Sequence, residues 1–234
     1  MKTYRYFDAI VALFVAVILT SNVASSAKII DWGVGLLGLR LSFDAGTLLF
    51  PISYIFGDVL TEVYGYARAR RVIWLGFFSL ALMSVSLALV SAMPGESAWQ
   101  GYAGDAAFSS ILGGVASGSI MVASLVAFLF GAFSNSFVLA KMKIAMQGRM
   151  LWMRTIGSTL FGQAVDTTTF VLIACVLGVF PWEIAVSLIL SNYIFKVLIE
   201  VLFTPVTYRV VGFLKRQESL DQYDRDTDFT IFRW

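Results

Sequence analysis

Apolar residues fall into six long runs separated by polar stretches: 7–26, 45–64, 72–92, 116–140, 156–179 and 183–206. Runs of roughly 20 apolar residues span a bilayer as helices, because a helix satisfies its own backbone hydrogen bonds in lipid. The first run is too long for a signal peptide and lacks the small-residue cleavage pattern, so a retained helix is expected. Between the first two runs, Leu39 to Asp44 alternates apolar and polar residues, and Gly33, Gly35 and Gly38 punctuate the stretch before it. That pattern predicts a short extended hairpin outside the membrane. Polar loops are expected over 66–71, 94–114 (with a short surface helix near 103–112) and 141–154, and a polar, mobile or lightly docked tail over 215–234.

Composition agrees with an integral membrane protein. The chain of 234 residues is 59% hydrophobic and 14% charged, with a mean hydropathy of +0.81. A soluble domain could not cover so much apolar surface with so few charges. There is no His, which removes imidazole acid–base and most metal chemistry, and the single Cys175 permits no intrachain disulfide. No cofactor is expected, and a net charge of +2 does not suggest a nucleic-acid binder. Lys and Arg distribution is informative once mapped. Lys2, Arg5, Arg68, Arg70, Arg71, Lys141, Lys143, Arg149, Arg154, Arg209, Lys215, Arg216, Arg225 and Arg233 fall on one side, and only Lys28 and Arg40 on the other. By the positive-inside rule both termini are cytoplasmic.

Two halves of the chain share local patterns. Ser21-Asn22 and Ser134-Asn135 end the first and fourth runs, while Gly46-Thr-Leu-Leu-Phe-Pro51 and Gly157-Ser-Thr-Leu-Phe-Gly162 open the second and fifth. A repeat of three spans inserts its second copy upside down, so the expected fold is an all-α membrane protein of six helices in a 3+3 inverted repeat, with residues 1–214 as the membrane domain. Transporters of that plan hold their site at the repeat interface near the midplane.

Polar residues inside apolar runs are the candidates for that site, since an intramembrane Asp costs about 2.5–3.5 kcal/mol at a helix centre. Gln163 and Asp166 interrupt the fifth run, and Ser158, Gly162 and Asp166 share one face at a spacing of four. Asn192, Lys196 and Glu200 do the same on the sixth run, and Tyr54, Asp58 and Glu62 on the second. Counting ~1.5 Å per residue sets Gln163, Asp166, Asn192 and Lys196 near the midplane. Asp58, Asn135 and Glu200 then fall in the cytoplasmic half and Asn22 in the outer half. Lys196 is the one cation of this deep set and is expected to pair with a carboxylate. Glu62 lies near the surface and is expected to pair with Arg68 or Arg70.

Phe43-Asp-Ala-Gly-Thr-Leu-Leu-Phe-Pro51 running into Gly57-Asp-Val-Leu-Thr-Glu-Val-Tyr-Gly65 resembles the signature of the bacterial queuosine precursor transporters, a vitamin-uptake-transporter-like family. Ser134-Asn135, Arg154 through Asp166-Thr167, Asn192-Tyr-Ile-Phe-Lys196 and Asp226-Thr-Asp-Phe229 carry the same resemblance over nearly the whole chain. It implies six spans in the cell (inner) membrane and uptake of a 7-deazaguanine base such as preQ0 or preQ1. The chemistry fits separately. A guanine-like edge offers paired N–H donors that a carboxylate, Asp166 or Asp58, accepts side by side, and its O6 takes a donor from Gln163, Asn135, Asn192 or Lys196. Tyr54, Phe161, Tyr193 and Phe195 are candidate aromatic walls. The expected partners are thus a small nucleobase-like substrate and the lipid bilayer, with a homodimer possible. Two other readings stand beside the transporter: a substrate-binding subunit energised by a separate ATPase, and an intramembrane aspartyl enzyme built on Asp58 and Asp166.

Overall fold

The computed structural model describes residues 4–36 and 39–233; Lys2, Gly38 and Trp234 lie outside them. Helix α1 covers Phe7–Ala27. A hairpin follows, β1 at Ile29–Leu36 antiparallel to β2 at Leu39–Asp44, with Ile29 opposite Asp44 and Leu36 opposite Leu39. The expected hairpin is therefore present, and a register shift between Asp31 and Gly35 marks its glycine-rich arm.

The second apolar run is not one uninterrupted helix. It divides into a 3₁₀ turn at Ala45–Leu48, helix α2 at Phe50–Val59 and a π-helical turn at Leu60–Tyr64. Pro51 stands in the first turn of α2, where a missing N–H costs nothing. Gly65 ends the segment at φ +86°, a conformation a side chain disfavours, and a Cβ there would stand 2.6 Å from Gln222 Cγ. The π turn lies next to Asp58, and such turns concentrate at functional sites.

The remaining helices are α3 at Tyr66–Ser91, α4 at Ser97–Tyr102, α5 at Gly104–Ala116, α6 at Gly118–Ala145, α7 at Leu151–Val176 and α8 at Ala185–Glu218. Several expected loops are helical instead. Residues 66–71 form the first turns of α3, and 141–145 the last turn of α6. Within 94–114 the short helix expected near 103–112 is present as α5, which runs to Ala116 and packs on α1 and α3, and α4 adds a further helical turn before it. Hydropathy marks only the part of a helix that meets lipid. The helices continue past it because their charged turns find partners, as Arg68 does on Tyr64 O at 2.8 Å and on the Tyr4 hydroxyl at 2.6 Å.

Among the described residues five helical stretches are long and apolar enough to cross a membrane: Phe7–Ala27, Tyr66–Ser91, Gly104–Ala145, Leu151–Val176 and Trp182–Glu218. Their outer surface is apolar, with Leu82, Val176, Val186, Leu198 and Leu202 exposed. Many polar residues are buried instead, among them Asp58, Glu62, Asn135, Lys143, Arg154, Gln163, Asp166 and Glu200. That inversion is what lipid as a solvent requires. The main apolar core joins Ile10, Phe14 and Ile18 of α1 to Ile55 and Val59 of α2, Val72 and Leu80 of α3, and Val211 and Leu214 of α8.

The chain ends meet at one end of the bundle. Glu218 at the end of α8 accepts the backbone N–H groups of Arg5 at 3.1 Å and Tyr6 at 2.8 Å, and the Tyr64 hydroxyl at 3.1 Å. After α8 the chain does not trail away. Asp224 accepts Tyr66 N at 3.0 Å, Arg70 donates to the carbonyls of Asp228 and Thr230, and Trp74 Nε1 donates to Ile231 O at 2.8 Å. Phe229 packs on Tyr66 and Phe137, and the Lys141 ammonium stands 4.0 Å from its ring centre. The tail is a strap across the ends of α3 and α6.

Candidate functional site

The site grows from the contact between α6 and α7. Gly131 and Gly162 let these helices approach until backbones nearly touch: a Cβ on Gly131 would lie 2.6 Å from Asp166 Cβ, and one on Gly162 would lie 2.7 Å from Asn135 Cβ. On α7 the buried positions Ser158, Thr159, Gly162, Gln163, Asp166 and Thr167 form a polar stripe facing the protein. Helix α2 packs against α6 and α8, and α8 packs against α7, closing the ring.

Within this ring Asn135 Nδ2 donates to Asp58 Oδ1 at 2.9 Å, and Lys196 Nζ pairs with Asp166 Oδ2 at 2.8 Å. Tyr54 on α2 hydrogen-bonds the Gln163 side chain, and its hydroxyl lies in the fields of Asp166, Glu200 and Asp58. Four of the expected residues, Asp58, Asn135, Gln163 and Asp166, are thus buried around one place with Tyr54 and Lys196 beside them. Several polar atoms there lack a partner among the described residues: Asp58 Oδ2, Asn135 Oδ1, Gln163 Oε1, Thr159 Oγ1, Thr167 Oγ1 and both oxygens of Glu200. Every one is an oxygen able to accept a hydrogen bond.

Other expected residues stand elsewhere. Asn22 donates to Ile18 O of its own helix at 2.9 Å and accepts Ser124 Oγ at 3.4 Å, so it bridges α1 to α6 apart from the ring. Asn192 returns its amide to Leu188 O at 3.0 Å, one turn back on α8. The Tyr193 hydroxyl donates to Leu160 O at 3.2 Å in an exposed contact, and Phe195 is half-buried. Phe161 is 56% exposed. It follows from helix geometry: with 158, 159, 162 and 163 facing inward, 161 points outward.

A second charged cluster caps the ring at the basic end. The Glu62 carboxylate takes both Arg154 guanidinium nitrogens and Lys215 Nζ at 2.6 Å, while Lys143 Nζ donates to Glu62 O at 2.6 Å. Neither Arg68 nor Arg70 reaches Glu62, because α3 turns them toward Tyr4, Tyr64 O and the tail. Asp221 of the strap joins the cluster through Lys143 at 2.5 Å and Lys215 at 2.8 Å. Partial burial would raise the Asp221 carboxyl, but these two ammonium groups hold it below its usual range. The sequence marked Arg154 as a basic-side residue and as part of a motif, but not as the partner of Glu62. Its partnership needed three helices that sequence does not place.

Comparison with known proteins puts this arrangement in a family. Residues 44–210 match the family described as "Putative vitamin uptake transporter". The chain belongs to this family. A Bacillus subtilis protein named "Probable queuosine precursor transporter" is 29% identical over 79% of this chain and 78% of its own length. The Escherichia coli "Queuosine precursor transporter" is 28% identical over 81% of this chain and 80% of its own length. A Haemophilus influenzae relative, also named "Probable queuosine precursor transporter", is 26% identical over 71% of this chain. No solved structure matches. Family membership and the five apolar helices make this chain a multi-pass membrane transporter and not an enzyme. The aspartyl-enzyme reading therefore falls away.

Proposed function

We propose that this protein imports a queuosine precursor, a 7-deazaguanine base such as preQ0 or preQ1, across the bacterial inner membrane. The observation that carries the reading is the set of buried acceptor oxygens without donors at the junction of α2, α6, α7 and α8. A buried acceptor left unpaired costs about 1–3 kcal/mol, so the ring is built for a ligand rich in N–H groups. A 7-deazaguanine supplies them at N1, N2 and N9. Asp58 with Asn135 forms one recognition pair, and Gln163 with Asp166 and Lys196 the other; Tyr54 offers a ring face between them. Asn22 and Phe161 stand outside this set, and Asn192 and Tyr193 are bonded to helix backbone.

The architecture that accompanies this reading has six spans, with the broken segment 45–64 as the second, an inverted repeat and both termini cytoplasmic. Ser21 Oγ donates to Gly46 O at 3.0 Å and joins the two segments of the first half that carry the repeated pattern. The junction then lies near the midplane. A separate ATPase is the alternative energy source, and transport by the lone purified chain in liposomes would exclude it.

Uptake of labelled preQ0 and preQ1 into cells unable to make them tests the proposal. Expression of the chain should restore accumulation. Asp166→Asn and Lys196→Ala, at matched membrane abundance, should each lower it at least tenfold. Normal uptake by both variants removes the site.

A further inference from the structure

Asp58, Asp166 and Glu200 differ in how many carboxylate oxygens remain free. Asp166 Oδ2 is held by Lys196 at 2.8 Å, and Asp58 Oδ1 by Asn135 at 2.9 Å. Glu200 alone among the described carboxylates has both oxygens buried with no hydrogen-bond partner. It has no part in the recognition set above. Burying such a group without donors opposes folding, so its place needs a reason.

That place follows from α8. Leu198, Val201 and Leu202 are exposed, while Glu200, Thr204 and Thr207 form the buried face, with Glu200 itself 2% exposed. This face lies where α8 packs on α2 and α7, the helices that carry Tyr54, Asp58, Gln163 and Asp166. Lys196, one turn earlier on the same side of α8, reaches Asp166 across that seam. Thr204, one turn later, turns its hydroxyl to the Glu200 backbone carbonyl at 3.0 Å and leaves the carboxylate alone. Glu200 therefore borders the recognition set from the side of α8.

Two free oxygens on one carboxylate accept two parallel N–H bonds, as they do from a guanidinium fork. The same grip on Asp58 or Asp166 would compete with Asn135 or Lys196 for an oxygen already bonded. A guanine-type ring presents its N1–H and one N2–H side by side on a single edge. We propose that Glu200 is the specificity-determining residue of this transporter: its carboxylate accepts that pair of donors and so selects bases that carry the 2-amino group. This rests on the importer reading above. Glutamine offers one acceptor and one donor in place of two acceptors. It opposes N2–H₂ but matches a xanthine-type edge, in which N1–H stands beside a C2 carbonyl. Glu200→Gln should thus exchange one specificity for another, which a loss of packing would not do.

The test titrates preQ0 and preQ1, each beside its 2-deamino and 2-oxo analogues, into the purified full chain in detergent. The wild type should bind the 2-amino base at least about tenfold more tightly than either analogue, the factor expected for losing or opposing one bond to a charged acceptor. In Glu200→Gln the order of the 2-amino and 2-oxo bases should reverse. In Glu200→Ala, which removes both acceptors, the preference should vanish; this variant decides if Glu200→Gln does not fold. A wild type that binds the 2-deamino analogue as tightly as the 2-amino base overturns the proposal whatever the variants do. So does a Glu200→Gln that folds but keeps the wild-type order or binds neither base, or a Glu200→Ala that keeps the preference. Each of these leaves the importer standing. A wild type that binds neither preQ0 nor preQ1 overturns the importer reading, and the role of Glu200 with it.

Discussion

Glu62 shows how one residue ties the basic end of the bundle together. It is fully buried and is met by Arg154 from α7 and Lys215 from α8, with Lys143 of α6 on its backbone carbonyl. Removing one partner of such a pair leaves the others charged and dry, which costs about 3–5 kcal/mol. Glu62→Gln should therefore lower the midpoint of thermal unfolding in detergent by several degrees. Arg154→Met should do the same, and the double variant should be less damaging than the sum, because the second change removes a charge stranded by the first. Additive losses in that cycle would contradict the pairing. At this scale the sequence was informative about which residues are costly to bury, but it misdirected Glu62 toward Arg68 and Arg70. Sequence neighbours on α3 were within reach by number alone, whereas the true partners lie 92 and 153 residues away.

At the scale of elements, the α6–α7 contact holds the recognition set in place. Gly162 has Asn135 Cβ and Gly131 O against it, with no space for a side chain. Gly162→Leu should push the helices apart, separate Asn135 from Asp58 and abolish uptake while the protein still reaches the membrane. Gly57→Ala is the matched control, since a Cβ there meets nothing within 4 Å. The tail strap makes a pH-dependent prediction. The Asp221 carboxyl is held below its usual range by Lys143 and Lys215, so its contribution to docking is full above the unfolded value of about 3.9. That contribution is lost as pH falls through the lower, folded value. A spin label on Asp226→Cys should be immobilised at neutral pH and become mobile below about pH 4; a label equally mobile at both would show that the strap is not clamped there. The same reasoning explains why the tail read as no more than mobile or lightly docked in the sequence: its apolar anchors, Phe229 and Ile231, are few, and their receiving surface on Tyr66, Ile73, Phe133 and Ala140 exists only after α3 and α6 are packed.

At the scale of the molecule, the apolar exterior and polar interior make one prediction about topology. Single-cysteine labelling with a membrane-impermeant thiol reagent should find both ends of the chain and the 146–150 turn on the cytoplasmic face, and the hairpin of β1 and β2 on the other. An odd number of crossings, with the 45–64 segment returning to the face it entered from, would place the termini on opposite faces and contradict the six-span reading.

What the sequence determined by itself was the solvent of this protein and the list of its expensive residues. Apolar runs of bilayer length, the positions where charge or amide interrupts them, and the i to i+4 spacing on α7 and α8 all follow from local chemistry that needs no fold. What only tertiary structure decided was which of those residues meet. Asn22 and Asn192 read as equals of Asn135, yet each is satisfied by a carbonyl one turn back on its own helix, while Asn135 reaches Asp58 because Gly162 admits it. Glu200 read as one more polar position on the face of Asn192 and Lys196, yet both of its oxygens are buried without a hydrogen-bond partner among the described residues. The physical reason is that a buried polar group is defined by what surrounds it, and the surroundings come from helices far away in the chain.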